Sequence, residues 1–199
     1  MTEREKQLEK FIMEYSLNTI QSHRQEIEDI LTKYQENITK EILQKFHMLF
    51  KKAIENKVDD KSKEVAYIGI DFLNTGILNN SIEMKIGLYN RDLYFDTKPI
   101  VAYYNCTYFD DVIKNDIERF NKYIQKKMIR VKYQEMWRYK KVCMMKYKAV
   151  MEECMLIHIE MLTQLRTFVE MNKTSDIKIL YGELLCNKII LYEVNEESV

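Results

Sequence analysis

Two neighbouring stretches decide the fold class: VAYIGIDFL at residues 65–73 and SIEMKIGLY at residues 81–89. In the second stretch every other side chain is apolar, namely Ile82, Met84, Ile86 and Leu88. A period of two is typical of a β-strand with one covered face. The first stretch is rich in Val, Tyr, Ile and Phe, which also favour strands. The sequence therefore predicts two antiparallel strands joined through residues 74–80.

The segment before these strands contains neither Gly nor Pro as far as residue 63, and Thr2 and Glu5 have the spacing of a helix capping box. Apolar residues recur at steps of three and four, at Ile27, Leu31, Tyr34, Ile38, Ile42, Phe46, Leu49 and Ala53. We predict one long helix, or a helix pair broken near residues 15–19, where Ser, Asn and Thr favour caps. Its apolar stripe packs within the domain or against a second copy of the chain, and the sequence leaves both open.

The second half of the chain combines helical and strand patterns. In order, we predict a strand at residues 92–95, a helix from Thr107 or Asp110 to about Lys126, an extended link at 128–131, a long helix at 133–171, and strands at 177–184 and 188–194. The expected fold class is α+β, with a long N-terminal helix, an antiparallel meander completed by a C-terminal hairpin, and a long central C-terminal helix. We expect a single domain (1–199), comprising a helical arm (1–58) and an α+β core (65–199).

Composition predicts a soluble cytoplasmic protein. The N-terminus lacks the apolar core of a signal peptide, and no run approaches eighteen apolar residues, so we expect no membrane partner. The four cysteines form no Cys-x-x-Cys pair, which indicates buried free thiols in a reducing compartment. Abundant Lys, Ile, Asn and Tyr are typical of AT-rich genomes and favour a bacterium or its phage.

A net charge of zero conceals a strongly basic stretch, residues 121–148, called here the basic segment. It carries ten Lys or Arg side chains and a single acid. Such a segment favours an acidic protein or a nucleic acid as partner, while pairing with acids of residues 149–199 is the purely structural alternative. The predicted contact residues are Lys126, Lys127, Arg130, Trp137, Arg138, Tyr139, Lys140 and Lys141.

Asp71, Glu83 and Lys85 form a second candidate site on the two predicted strands. Two carboxylates can hold a divalent metal ion, and a lysine can orient the attacking water. The trio resembles the Asp…Glu-x-Lys signature of the PD-(D/E)XK nucleases, although Ile70 stands where that family often has Pro. The resemblance implies metal-dependent cleavage of nucleic acid. A charge pair on a solvated sheet face is the simpler interpretation.

Cys154 and His158 lie four residues apart on one predicted helical face. Closing a metal site would need further ligands, so a buried, hydrogen-bonded histidine beside a core thiol is the preferred interpretation. The four glycines are too dispersed for a phosphate-binding loop. We therefore predict no metal and no cofactor.

These observations together favour a protein-interaction module that recognises its partner through the N-terminal helix and the basic segment. Homodimerisation is a further expectation for the long helix. The alternatives are a nucleic-acid-binding protein that uses the basic segment, and a metal-dependent nuclease that uses Asp71, Glu83 and Lys85.

Overall fold

The computed structural model describes residues 1–56 and 64–194, and it confirms the α+β class. The helices are α1 (Glu3–Glu55), α2 (Thr75–Asn79), α3 (Asp110–Gln125), α4 (Tyr133–Thr163) and α5 (Arg166–Glu170). The strands are β1 (Val65–Phe72), β2 (Ile82–Tyr89), β3 (Ile100–Cys106), β4 (Lys173–Glu183) and β5 (Lys188–Glu193). The predicted end of the helical arm at residue 58 lies outside the described residues.

Helix α1 is continuous, which confirms the prediction of one long helix and excludes the alternative of a helix pair broken near residues 15–19. The capping box at its start is confirmed: the Thr2 amide donates to Glu5 at 2.7 Å, and the Glu5 amide donates to the Thr2 hydroxyl at 3.3 Å. Within the predicted break, the Thr19 hydroxyl donates to the Tyr15 carbonyl oxygen at 2.8 Å. A Thr that bonds back to the preceding turn is compatible with a helix interior. Burial of Tyr15 then keeps this turn helical.

The sheet is mixed and not wholly antiparallel as predicted. Its strand order is β3-β2-β1-β4-β5. The pairs β1–β2 and β4–β5 are antiparallel, whereas β1 and β4 run parallel. Parallel neighbours require a long crossover connection, and the stretch between β1 and β4, which contains α3 and α4, supplies it. The predicted C-terminal hairpin is therefore present, but it enters the sheet beside β1.

Three local predictions are also corrected. The strand expected at residues 92–95 is a 3₁₀ turn, Leu93–Phe95. Asp96 organises it, because its carboxylate accepts the Asn90 amide at 2.9 Å and the Lys98 amide at 2.8 Å. The link at 128–131 is a turn with Arg130 at a φ of 53°, not an extended segment. The long C-terminal helix ends at Thr163, and the short α5 follows it.

Two compact units divide the described residues. Unit 1 comprises Met1–Gln35, Gly76–Ile82 and Cys106–Tyr147. Unit 2 comprises the described parts of Glu36–Thr75, Glu83–Asn105 and Lys148–Val199. The boundaries fall inside α1 and α4, so each of these helices contributes residues to both units.

Unit 1 is helical, and its centre is aromatic. The rings of Phe120 and Tyr139 stack with their centroids 3.6 Å apart and their planes 10° from parallel. Tyr15 meets both rings edge-on, at 5.2 Å from Phe120 and 5.7 Å from Tyr139. These three side chains come from α3, α4 and α1, so one aromatic cluster joins all three helices.

Unit 2 contains the sheet. Alternate residues of its central strands form an apolar, fully covered face, including Ile68, Ile70, Phe72, Met84, Ile86 and Ile179. Buried residues of α1 and α4 complete this core, among them Ile42, Phe46, Met151, Met155 and Leu162. The Tyr181 hydroxyl donates to the Lys148 carbonyl oxygen at 2.7 Å and so connects β4 with α4. The period of two noted in the sequence is confirmed as the covered face of this sheet.

On the opposite face of the sheet, one row of residues crosses four strands. Lys85 is opposite Asp71, Asp71 is beside Gly182, and Gly182 is opposite Lys188. Lys188 reaches across β4 and donates to Oδ1 of Asp71. A Cβ at position 182 would lie 2.8 Å from the Asn187 carbonyl oxygen and 3.2 Å from Cγ of Lys188. Because Gly182 has no side chain, the Lys188 side chain has room to pass over it and reach Asp71.

We expect Gly182→Ala to lower the free energy of unfolding by about 1–3 kcal/mol, because a backbone oxygen blocks the new methyl group. Urea unfolding followed by circular dichroism measures the change. A matched control is Lys178→Ala on the same strand, where only a partly exposed ion pair with Glu193 is lost. Equal stability of Gly182→Ala and the parent would contradict this description of the row.

Candidate partner-binding groove

The basic segment begins in α3 and ends in α4, and several of its cations already have acidic neighbours. Arg138 donates to Glu5 at 2.6 Å, and the ammonium of Lys127 lies 3.7 Å from a Glu14 oxygen. Both acids belong to α1. The structural alternative proposed pairing with acids after residue 148, and this is seen for Lys148 with Glu183. Helix α1 is thus a main source of counter-charge for this segment.

The predicted contact residues differ in exposure. Lys126, Lys127, Arg130, Arg138 and Lys141 are exposed, and Trp137 and Lys140 are half-buried. Tyr139, in contrast, is fully buried, so we remove it from the contact set. Its place in the sequence beside Lys140 and Lys141 gave no indication of this burial.

A single buried carboxylate, Asp116 of α3, connects the three helices of unit 1. The hydroxyls of Tyr139 and Tyr15 donate to it at 2.6 and 3.3 Å, and the Cys143 thiol donates at 3.0 Å. Nε2 of His23 lies 2.5 Å from Oδ1 of Asp116. We call these five residues the Asp116 cluster. Two of its members lie on α1 and two on α4, so the carboxylate sets the distance between those helices.

Charge within the Asp116 cluster follows from these contacts. Burial penalises the carboxylate, but the contacts with His23, Tyr139 and Cys143 outweigh that penalty and lower the pKa of Asp116 to about 2. Burial, followed by the charge of Asp116, raises the pKa of the Cys143 thiol. The thiol therefore remains a protonated donor at neutral pH.

His23 extends the Asp116 cluster to the protein surface. Its Nδ1 lies 3.2 Å from the ammonium of Lys146. The two ring nitrogens of His23 therefore face different partners, Nε2 the carboxylate of Asp116 and Nδ1 the ammonium of Lys146. Lys146 is thereby held on the surface between α1 and α4.

At this surface the two helices form an open groove of about 650 Å³. Its α1 wall carries large apolar side chains that are more than half exposed: Met13, Leu17 and Ile20. Its α4 wall carries Val142 and three cations, Arg138, Lys141 and Lys146. Glu9 is the single acid among the lining residues. The groove therefore combines an apolar surface with a cationic edge, and we call it the α1–α4 groove.

The apolar wall was not identified from the sequence. Met13, Leu17 and Ile20 are spaced by four and three residues, which is itself an amphipathic signal. The stripe runs beside a second stripe that includes Leu8, Ile12 and Tyr15, and these residues are buried. One segment with two adjacent apolar stripes has more apolar surface than one core requires.

The sheet places Asp71, Glu83 and Lys85 on one face, because Asp71 is opposite Lys85 and Glu83 lies two residues from Lys85 on the same strand. Asp71 is fully buried, and its Oδ1 accepts hydrogen bonds from Lys188 and from Tyr94, the latter at 2.9 Å. Glu83 accepts the Thr75 hydroxyl at 2.6 Å. The geometry thus places Asp71 in an ion pair with Lys188 and out of contact with solvent.

The described residues contain no group of three or more His, Cys, Asp or Glu side chains arranged to hold a metal ion. The interpretation of His158 as a buried, hydrogen-bonded histidine is confirmed, since its Nε2 lies 2.7 Å from the Thr39 hydroxyl. Burial raises the pKa of the neighbouring Cys154 to about 11. Cys106, Cys143 and Cys154 are buried as predicted, whereas Cys186 is exposed.

A smaller groove of about 390 Å³ lies in unit 2, and among its lining residues are Glu41, Lys45 and Met48 of α1 and Tyr103 of β3. An acid, Glu41, and a cation, Lys45, both line this smaller groove, so it lacks the one-sided cationic edge of the α1–α4 groove. None of the helices in residues 1–56 and 64–194 has the length and apolar character needed to cross a membrane.

Comparison of the chain with protein-family models found no match, and neither did comparison with the curated proteins or with the solved structures. Functional inference therefore depends on the geometry of this chain alone.

We expect Asp71→Asn to destabilise the protein by about 3 kcal/mol, because it leaves the buried Lys188 without its counter-charge. Combining it with Lys188→Met should recover most of the loss, since the uncompensated cation is then removed. Urea unfolding measures all three variants. A double variant no more stable than Asp71→Asn would contradict the assignment of Asp71 to a structural ion pair.

We expect Asp116→Asn to weaken unit 1 by roughly 2–3 kcal/mol at pH 7. The lowered pKa means that the Asp116 charge stabilises the fold above about pH 4 and that this contribution is lost as the pH falls towards 2. The variant should therefore lose less stability than the parent across that interval. Trp137, the only tryptophan, lies in unit 1 and reports its unfolding by fluorescence. The exposed Asp29→Asn is the control, and equal acid sensitivity of parent and Asp116→Asn would count against the Asp116 cluster.

Proposed function

We propose that this chain is a protein-interaction module of the bacterial or phage cytoplasm, and that it binds an acidic partner protein through the α1–α4 groove. The observation that carries the proposal is the pairing of exposed Met13, Leu17 and Ile20 with the cations of α4 in one concave surface. Exposed apolar patches rimmed by polar residues mark interaction sites in soluble proteins.

The charge of the groove favours an acidic partner. Three cations and one acid line it, so an acidic surface gains attraction on approach and a basic one is repelled. A second copy of the chain is less suitable: a two-fold interface through this groove would bring Lys141 and Lys146 of one copy towards the same cations of the other. Homodimerisation is therefore not our proposal, and crosslinks between two copies of the chain that both groove variants lose would favour it instead.

Nucleic acid is the alternative that the sequence left open, and the groove supports it less well. The most exposed side chains of the groove are aliphatic, whereas single-stranded nucleic acid is held by stacking on aromatic rings.

We expect Leu17→Glu and Lys141→Glu each to weaken partner binding by at least about tenfold, because central apolar anchors and their flanking charges dominate such interfaces. Chemical crosslinking in a lysate of the organism that encodes the chain, with quantitative mass spectrometry, compares the variants with the parent. Two matched controls carry the same changes outside the groove: Val169→Glu on α5 and Lys122→Glu on α3.

Support for the proposal requires an acidic protein whose crosslinking is lost in both groove variants and kept in both controls. Partners that are captured equally by all five proteins would contradict it. Titration of labelled oligonucleotides completes the test: tight binding that Lys141→Glu abolishes and Leu17→Glu leaves intact would favour the nucleic-acid alternative.

A further inference from the structure

We infer that the segment bound in the α1–α4 groove is an amphipathic α-helix whose acidic residues lie along a single flank. This inference rests on the proposed function, and it adds the conformation, the length and the charge pattern of the ligand.

The hydrogen-bonding capacity of the groove favours a helix over an extended peptide. Its α1 wall is aliphatic, and its cations belong to side chains at the edge. An extended peptide would leave its backbone N–H and C=O groups without partners against an aliphatic wall, because both walls are helices whose own backbone groups are already paired. A helical ligand satisfies its backbone internally and presents only side chains.

The dimensions of the groove fix the length of that helix. The lining residues of α1 extend from Glu9 to Ile20, a distance of roughly 17 Å at 1.5 Å per residue. A ligand helix laid along this wall makes about three turns, or about 12 residues. Met13, Leu17 and Ile20 project from successive turns, so they fit a ligand with apolar residues at steps of three and four.

The arrangement of charge in the groove determines which flank is acidic. All three cations, Arg138, Lys141 and Lys146, belong to α4, whereas the α1 wall is apolar apart from Glu9 and Ser16. Acidic residues of the ligand helix should therefore face α4, and its apolar residues should face α1. Two of these cations are held in place, Arg138 by Glu5 and Lys146 by His23 of the Asp116 cluster.

The experiment selects ligands without assuming their conformation. A display library of random 14-residue peptides is selected on the 199-residue chain, and each enriched peptide is then tested for binding to the Leu17→Glu and Lys141→Glu variants. We expect enriched sequences with apolar residues at steps of three and four and with Asp or Glu on one flank. Synthetic versions should gain helical circular dichroism on binding, and they should bind at least about tenfold more weakly after Glu→Gln changes or after insertion of a central proline.

The outcomes separate the two levels of inference. Some groove-dependent peptides could be acidic but rich in proline, or bind without gaining helicity. That result would overturn the inferred helical conformation of the ligand, while the proposal of an acidic partner would stand. Groove-dependent peptides without an acidic flank would overturn the charge pattern and the acidic partner together. A selection that yields only peptides binding the parent and both variants equally would contradict the helix and the proposed function alike.

Discussion

The contact of Asp116 with its four neighbours is the constraint on which the helical unit depends. A carboxylate buried among aromatic rings is tolerated only if its oxygens are paired, and here donors from α1 and α4 converge on one residue of α3. The geometry of those donors fixes the separation of α1 and α4. A groove between two helices keeps its width only when that separation is fixed, so the Asp116 cluster underlies the proposed binding surface as well as the helical unit.

Both units solve the same physical problem in different ways. In unit 2 the buried carboxylate is Asp71, and the pairing cation is Lys188, which crosses the intervening strand where Gly182 has no side chain. In unit 1 the carboxylate of Asp116 accepts hydrogen bonds from neutral hydroxyl and thiol groups and contacts one histidine. The Asp71–Lys188 pair involves only residues of the sheet, whereas the Asp116 cluster continues through His23 to Lys146 at the surface. This difference is why the groove, and not the Asp71 row, carries the proposed function.

Periodicity in the sequence was sufficient for the fold class and for most helices and strands, because each pattern reflects a local choice of buried face. It was insufficient for the parallel pairing of β1 with β4, which depends on where the chain returns after α4. Burial of Tyr139 could not be predicted either, since its neighbours in sequence are lysines and its partner Asp116 is distant in the chain. The exposed stripe of Met13, Leu17 and Ile20 was visible as spacing, but only the structure distinguishes it from the buried stripe beside it.

The most direct test of this account uses methionine methyl groups as reporters in nuclear magnetic resonance. Met13 lies in the α1–α4 groove, whereas Met48 and Met161 are exposed elsewhere. A synthetic helix with leucines at steps of three and four and glutamates on one flank is titrated into protein carrying labelled methionine methyls. The account predicts that the Met13 signal moves while those of Met48 and Met161 remain in place. Movement of Met48 or Met161 with an unchanged Met13 would contradict it.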